Sequence, residues 1–388
     1  MFVLKLGARR QINALLRNDN VVSHLNVLAG TSQEQVAHGD TLENLLEEVP
    51  HEKISHIRTE MIRTLIRSRI FDNHRLLGEY YLIAVDGSGI RYYRKRHCEH
   101  CLTKTSKKTG VTTYYHSVLE VKLVTDNGLA LSIDTEFIEN ATKDMDKQDC
   151  ELRAFYRLAP RLKKMFPQLP ICLLMDSLHG VEQVMQVCAD YGWKYIINFK
   201  HGRMPAKYEE FISLCDSVQK SNRFSFTLPD KTKQEYKFAT GIEHGKQKFN
   251  AIHCTEYKPK ETKQYAYMTN ISVNSNRCAE IVNQGGRIRW KIENQGFNTQ
   301  KNGGYELEHA YSENENATKC FYYLLQIAHI LNQLMEKGSL LNKKAMIKMG
   351  SMKNIARFLL EGFRNNQITK EIFESLFAKP FQIRFSSA

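Results

Sequence analysis

The period of the apolar positions changes along the chain. Before residue 80, Ile54, Ile57, Met61 and Leu65 recur at helical spacing. Asp40 followed by Glu43 has the form of a capping box and opens a short helix through Leu45 and Leu46. From Tyr80 onward short apolar runs take over. YYLIAVDGSGI reads as a buried strand ending in an Asp-Gly-Ser-Gly turn. TYYHSVLEVKLV and GLALSIDTEFI read as two more strands, joined by a hairpin at Asn127-Gly128. Residues 147–166 form an amphipathic pattern that Pro160 should kink. PICLLMDS and KYIINFK are strands, separated by the helix GVEQVMQVCADYG with its glycine stop.

Three antiparallel strands followed by helix, strand, helix and strand give an α/β fold with a mixed sheet between helices. Residues 201–280 turn strand-rich and polar, as a separate antiparallel layer inserted into that fold. RIRWKIENQGFNTQKNGG reads as a helix ended by glycines, and residues 316–336 as a long apolar-faced helix. The expected organisation is a helical region over 1–78, an α/β domain over 79–200 and 281–336, a β insertion over 201–280, and a basic helical region over 337–388. No internal repeat or low-complexity tract interrupts it.

Charge adds a partner class. Lys and Arg number 55 against 42 Asp and Glu in 388 residues, a net +13, which favours polyanions such as nucleic acid. Nine cysteines in so long a chain make no disulfide scaffold. Cys172 and Cys188 sit in apolar runs as buried thiols of a reducing compartment. No run is long enough to cross a bilayer, and MFVLKLGARRQ is too short and polar for a secretory signal. A cytoplasmic protein with no membrane partner is expected.

Three acids stand out by position. Asp86 and Asp176 each follow a run of apolar residues and so end buried strands, where neighbouring strands bring such side chains together. Turn formation or helix capping is the plainer role for either alone. Glu293 lies four residues after Arg289, on one helix face with it. Trp290, Ile292 and Phe297 make that helix partly buried, so an acid there needs a partner or a metal. Three clustered carboxylates suit hard divalent ions, Mg²⁺ or Mn²⁺, and two such ions can clamp the oxygens of a phosphodiester exchange. Asp149 and Glu151 read first as helix-start acids, with Glu151 also an outer carboxylate. His179 reads equally as a site residue or a helix-start polar group.

These residues, in this order, resemble the DDE transposases of bacterial insertion sequences, in the branch with a β-strand insertion before the catalytic glutamate. The resemblance rests on VDGSG around Asp86, KQDCE at 147–151, MDSLHG around Asp176, RWKIENQGFNTQK around Glu293, and YELEHAYSENENATKCFYYLLQIAHILNQL after it. It covers about residues 80–335. The spacings are 176 − 86 = 90 and 293 − 176 = 117, the second long enough to contain the insertion. The branch carries Tyr-x-x-Arg-x-x-x-Glu, then Lys after six residues. Arg289 and Glu293 fit, the tyrosine position is Gly286, and the lysine position is Gln300 with Lys301 one residue late.

The resemblance implies a ribonuclease-H-like core, with Asp86, Asp176 and Glu293 catalytic and holding two Mg²⁺ or Mn²⁺ ions. It implies Arg289 and Lys301 on DNA phosphates, cleavage of double-stranded DNA at element ends, and transfer of the 3′-hydroxyl into target DNA. It also implies a homodimer or larger synaptic complex at the bacterial nucleoid. A nuclease of the same fold without strand transfer and an inactive transposase-derived DNA-binding protein are the alternatives.

A second cluster lies in RYYRKRHCEHCLTKTSKKTG. Cys98 and Cys101 form Cys-x-x-Cys, and His97 and His116 bring them to the donor count of a structural zinc site; a reduced thiol pair is the other reading. Arg91 to Lys108 carries seven Lys or Arg against one Glu. Its Arg94, Lys95 and Arg96 are the expected phosphate contacts, with Tyr92 and Tyr93 as stacking faces. A solvated hairpin is the alternative.

Overall fold

The computed structural model describes residues 1–142, 147–217, 222–339, 341, 347–378 and 383–385. They fall into two compact units, one of Met1–Ile70, Gly89–Tyr93 and Asn294–Ala388, the other of Phe71–Ser88 and Arg94–Glu293.

The first unit is helical. Its helices are α1 (Arg10–Leu15), α2 (Asp19–Ala29), α3 (Gly39–Glu48), α4 (His51–Arg67), α9 (Thr299–Asn302), α10 (Glu315–Lys337), α11 (Met352–Asn365) and α12 (Lys370–Phe377). The cap of α3 corrects the capping-box expectation. His38 is the N-cap and accepts from the Asp40 amide, while Asp40 and Glu43 both pair with Arg9. α4 forms where the spacing predicts, but its buried stripe is Ile54, Arg58, Thr59 and Ile62, while Met61 and Leu65 are half-buried and Ile57 is exposed. Arg58 lies within it, fully buried, bonded to Ser55 Oγ at 3.1 Å and 4.8 Å from the Tyr323 ring centroid. Its burial makes it part of the packing of this unit. Asn316 ties α10 to the end of α3, donating to Leu46 O and Val49 O.

The second unit is built on a ten-stranded mixed sheet: β1 (Tyr81–Tyr93, of which Gly89–Tyr93 count with the first unit), β2 (Leu102–Thr105), β3 (Thr112–Val124), β4 (Ala130–Ile138), β5 (Ile171–Met175), β6 (Lys194–Asn198), β7 (Arg223–Thr227), β8 (Lys233–His244), β9 (Gln247–Lys258) and β10 (Glu261–Thr269). The order is β2-β3-β1-β5-β6-β10-β9-β8-β7, and β4 pairs with the second half of β3. The β3–β4 hairpin turns at Asn127-Gly128, as its sequence indicates, with Gly128 at φ 95°. β1, β5 and β6 are parallel, which requires crossovers. Helices α5 (Glu151–Met165) and α6 (Glu182–Tyr191) supply these, and α5 runs unbroken through Pro160.

Residues 201–280 are not a separate layer. They open with a helix, α7 (Pro205–Ser217), and β10 then hydrogen-bonds antiparallel to β6, so β7–β10 extend the same sheet. The strand patterning was legible, but alternation does not say which edge a strand joins.

The helix expected around Glu293 is irregular. α8 (Ser275–Glu280) passes into a π turn at Ile281–Gly285, a 3₁₀ turn at Gly286–Arg289 and a second π stretch at Ile292–Asn298 before α9. Two glycines explain part of this. A Cβ on Gly285 would strike Ile196 of β6, and one on Gly286 would strike the Tyr267 ring of β10. Lacking side chains, the helix settles directly onto the sheet. Tyr267 thereby fills the space a side chain at 286 would take.

Candidate functional site

The register of β1 on β5 builds the site. Ala84 is opposite Leu174 in a parallel pair, so Asp86 and Asp176 stand two residues further on, at the same level. Asp176 ends β5 and caps a 3₁₀ turn, accepting from the Leu178 amide at 2.9 Å and from His179 Nδ1 at 3.0 Å. Asp86 does not end its strand. β1 continues to Tyr93, and the Asp-Gly-Ser-Gly expected as a turn is extended. Its glycines serve close approach instead. A Cβ on Gly87 would land on the Glu151 carboxylate, so the absent side chain lets the start of α5 reach the acidic pair.

Arg289 closes the cluster. Its Nη1 donates to Asp86 Oδ2 at 3.0 Å, and its side chain is 9% exposed. The expected phosphate contact therefore takes another form: the guanidinium is turned inward onto the carboxylate. Trp290 lies under the same guanidinium, 5.3 Å from carbon to ring centroid.

The protonation behaviour follows the packing. Burial pushes Asp86 above the ordinary carboxylate range; Asp176 adds to this and Arg289 opposes it. Burial also raises Glu151, with His179 opposing and the charges of Asp86 and Asp176 reinforcing. Burial would raise Asp176 too, but the His179 hydrogen bond and charge, the Leu178 amide and Arg289 outweigh it, so Asp176 ionises below its usual range. Asp176 is thus the settled anion. His179 is buried against Phe155, ring centroids 5.6 Å apart. Its Nδ1–H is committed to Asp176, and its Nε2 is buried with no hydrogen-bond partner.

Glu151 gives a test of this electrostatic picture. A raised carboxyl binds its proton more tightly folded than unfolded. Its ionisation therefore costs stability, beginning as pH rises past about 4.3 and complete above the raised folded value. Glu151→Gln is expected to unfold like the parent below that window and at higher temperature above it. A gain of about 1 kcal/mol would move Tm by roughly 2–4 °C in a unit of this size. Thermal unfolding across pH in chelator checks it; a lower Tm at neutral pH counts against the clustering.

The structure brings together Asp86, Asp176, Arg289, Glu151 and His179. Glu151 was only a second reading of the sequence, because an acid at a helix start reads as a cap, and His179 read equally as a site residue or a helix-start polar group. KQDCE was the available signal. Asp149 of that stretch is structural, held in a fork by Arg157 at 3.2 and 2.6 Å. Glu293 stands differently from expectation. It lies exposed at the start of the second π stretch, with Ile292 and Phe297 buried and Trp290 51% exposed. The helix is half-buried as expected, but Glu293 is on its solvent face and needs no partner. In the helical unit, Gln300 is buried against Gln326 and His329, and Lys301 pairs with Glu308 Oε1 at 2.7 Å.

Among the described residues, one group of three offers metal-donor atoms all within 4.8 Å of one another, and it is Cys98, Cys101 and His116. The acids are not drawn that close. His97 lies outside the group, exposed. In the basic stretch Arg94 and Lys95 are exposed, as phosphate contacts require. Arg96 is braced inward, donating to Glu99 O at 3.4 Å and Cys101 O at 3.5 Å over the Tyr114 ring. No helix among the described residues is long and apolar enough to cross a membrane. No family model matches this chain, and no curated protein matches it.

Proposed function

We propose that this chain is a transposase of the DDE type, cutting DNA in a metal-dependent reaction and joining the freed 3′-hydroxyl to a target. In this reading the mixed sheet is a ribonuclease-H-like core, and β7–β10 are the insertion before the glutamate. One observation carries the proposal: Asp86 and Asp176 stand level on adjacent parallel strands, facing a buried arginine and a third acid.

The donor set fits a hard divalent cation. Asp86 and Glu151 are raised by burial and by other carboxylates, a strain that a Mg²⁺ or Mn²⁺ ion bound by oxygen relieves. Asp86 and Asp176 would hold it. Glu293 is the third ligand by resemblance, and Glu151 is the acid that packing turns toward the pair. When bound, such ions activate the attacking hydroxyl or water and stabilise the leaving oxygen.

The remaining work falls to the chain itself. Arg289 fixes the Asp86 carboxylate and offsets its charge. His179 holds Asp176 in one orientation and keeps it ionised. Arg94 and Lys95 offer charge to the DNA backbone.

Incubating the full chain with supercoiled DNA and Mn²⁺ tests the reading. Metal-dependent nicking is expected, with recovery of strand-joined products separating a transposase from a nuclease. One observation favours an inactive DNA-binding relative instead: Glu293 sits on the solvent face, bonded to nothing among the described residues. Intact DNA after incubation with Mn²⁺ would decide for that relative.

A further inference from the structure

The Cys-x-x-Cys loop between β1 and β2 meets the second half of its cluster on β3. Cys98 Sγ and Cys101 Sγ are 3.6 Å apart, and His116 Nε2 lies 3.4 Å from the first and 3.5 Å from the second. Zn–S bonds of about 2.3 Å and Zn–N bonds of about 2.05 Å at tetrahedral angles give edges of about 3.8 Å for S···S and about 3.6 Å for S···N. All three observed edges lie close to these.

Hydrogen bonding alone does not explain the triangle. The two thiols bring two protons. If Nε2 is an acceptor, they satisfy two edges and leave the third as a bare contact. If Nε2 carries a proton, it accepts nothing, and one edge again lacks a simple hydrogen bond. A disulfide is excluded by the sulfur separation. A single cation inside the triangle satisfies all three donors at once.

We propose that Cys98, Cys101 and His116 bind one Zn²⁺ ion, with the fourth position facing solvent. Two thiolates and a neutral imidazole balance the charge of the ion. Thiolate softness selects zinc over the hard cations proposed for the acidic site. Cys101 is fully buried, whereas Cys98 and His116 are half-exposed, so one side of the cluster stays open.

The clip also has a mechanical reach. Cys101 O accepts from Asn140 Nδ2 at 3.0 Å, and His100 Nδ1 donates to Asn140 O at 2.8 Å. Asn140 Oδ1 in turn accepts from the Asp149 amide at 3.1 Å, two residues before Glu151. A zinc-held loop therefore anchors the segment that leads into α5 and delivers Glu151 to the acidic pair. The metal assignment itself is independent of the transposase reading.

Elemental analysis of the full chain, purified under reducing conditions with zinc supplied and then desalted, tests the proposal. One zinc per chain is expected, falling at least tenfold in Cys101→Ser and in His116→Ala, and kept in His97→Ala. Cobalt reconstitution of the unaltered chain gives a second measurement that needs no variant. A thiolate-to-cobalt charge-transfer band with tetrahedral visible absorption is expected. A chain that takes up neither zinc nor cobalt overturns the assignment, as does zinc retained in the Cys98→Ser, Cys101→Ser double variant. Loss of zinc from His97→Ala overturns the solvent-facing fourth position.

Discussion

Replacing Asp86 or Asp176 by Asn is expected to reduce Mn²⁺-dependent DNA cleavage by at least about 10³-fold while DNA binding stays within a few fold. Each acid would be a direct ligand, and amide oxygen without charge is a poor donor to a hard ion. In the proposed reading binding would draw on Arg94, Lys95 and other exposed basic side chains, which the substitutions do not touch. Asn retains an acceptor for Arg289 Nη1 and for the Leu178 amide, so the local hydrogen bonds survive. The same substitutions should abolish the rise in Tm that Mn²⁺ gives the parent, because only a folded-state site contributes that increment. Glu293→Gln and Glu151→Gln then divide the third position. Loss comparable to Asp86→Asn identifies the ligand, and a loss of tenfold or less marks a supporting group. Full cleavage by Asp86→Asn would end the proposal.

The largest effect on stability is expected at Lys122. It is fully buried on β3, its Nζ 3.6 Å from Oε1 of the equally buried Glu120. Ser132 donates to the same Glu120 oxygen and Thr135 to the other at 2.9 Å, both from β4. The register explains the grouping. Glu120 is opposite Thr135 and Lys122 opposite Ser132, across a slip between Val121 and Lys122. Lys122→Met keeps the length and removes the ammonium from beside a buried carboxylate. The expected cost is about 3–5 kcal/mol. The double variant Lys122→Met, Glu120→Met removes both charges and should recover much of it. Denaturant titration of the four proteins in the cycle measures the coupling; equal losses in the single and double variants would show that the two charges do not support each other.

The acidic pair was legible in the sequence because a run of buried strand residues ending in Asp is a strong local pattern, and it occurs twice. The strand register that sets Asp86 beside Asp176 was not, since nothing local specifies which strands neighbour each other. Asp-Gly-Ser-Gly misled for a related reason. Glycine marks turns most often, but here Gly87 yields space to Glu151, a residue 64 positions away (151 − 87). The irregular helix before Glu293 was equally hidden. Apolar spacing of three and four residues is compatible with α, 3₁₀ and π turns in short pieces, and part of the choice lies in Gly285 and Gly286 meeting Ile196 and Tyr267. Of the four donors named for a zinc site, Cys98, Cys101 and His116 come together and His97 does not. The β2–β3 hairpin, which sets Leu102 opposite Tyr115, is what selects His116.

The ion pair of Asp86 with Arg289 spans 203 positions, which bears on how the chain is made. At roughly 5–20 residues per second on the ribosome, Asp86 emerges about 10–40 s before its guanidinium is synthesised. Over that interval the nascent sheet can pair β1 with β5 and so gather three carboxylates that still lack the Arg289 countercharge. A parallel pair closed over so long a loop is slow to form in any case. The acidic cluster therefore completes near the end of folding, and a chain truncated before residue 289 should carry its acids in an electrostatically unrelieved state, prone to remain open.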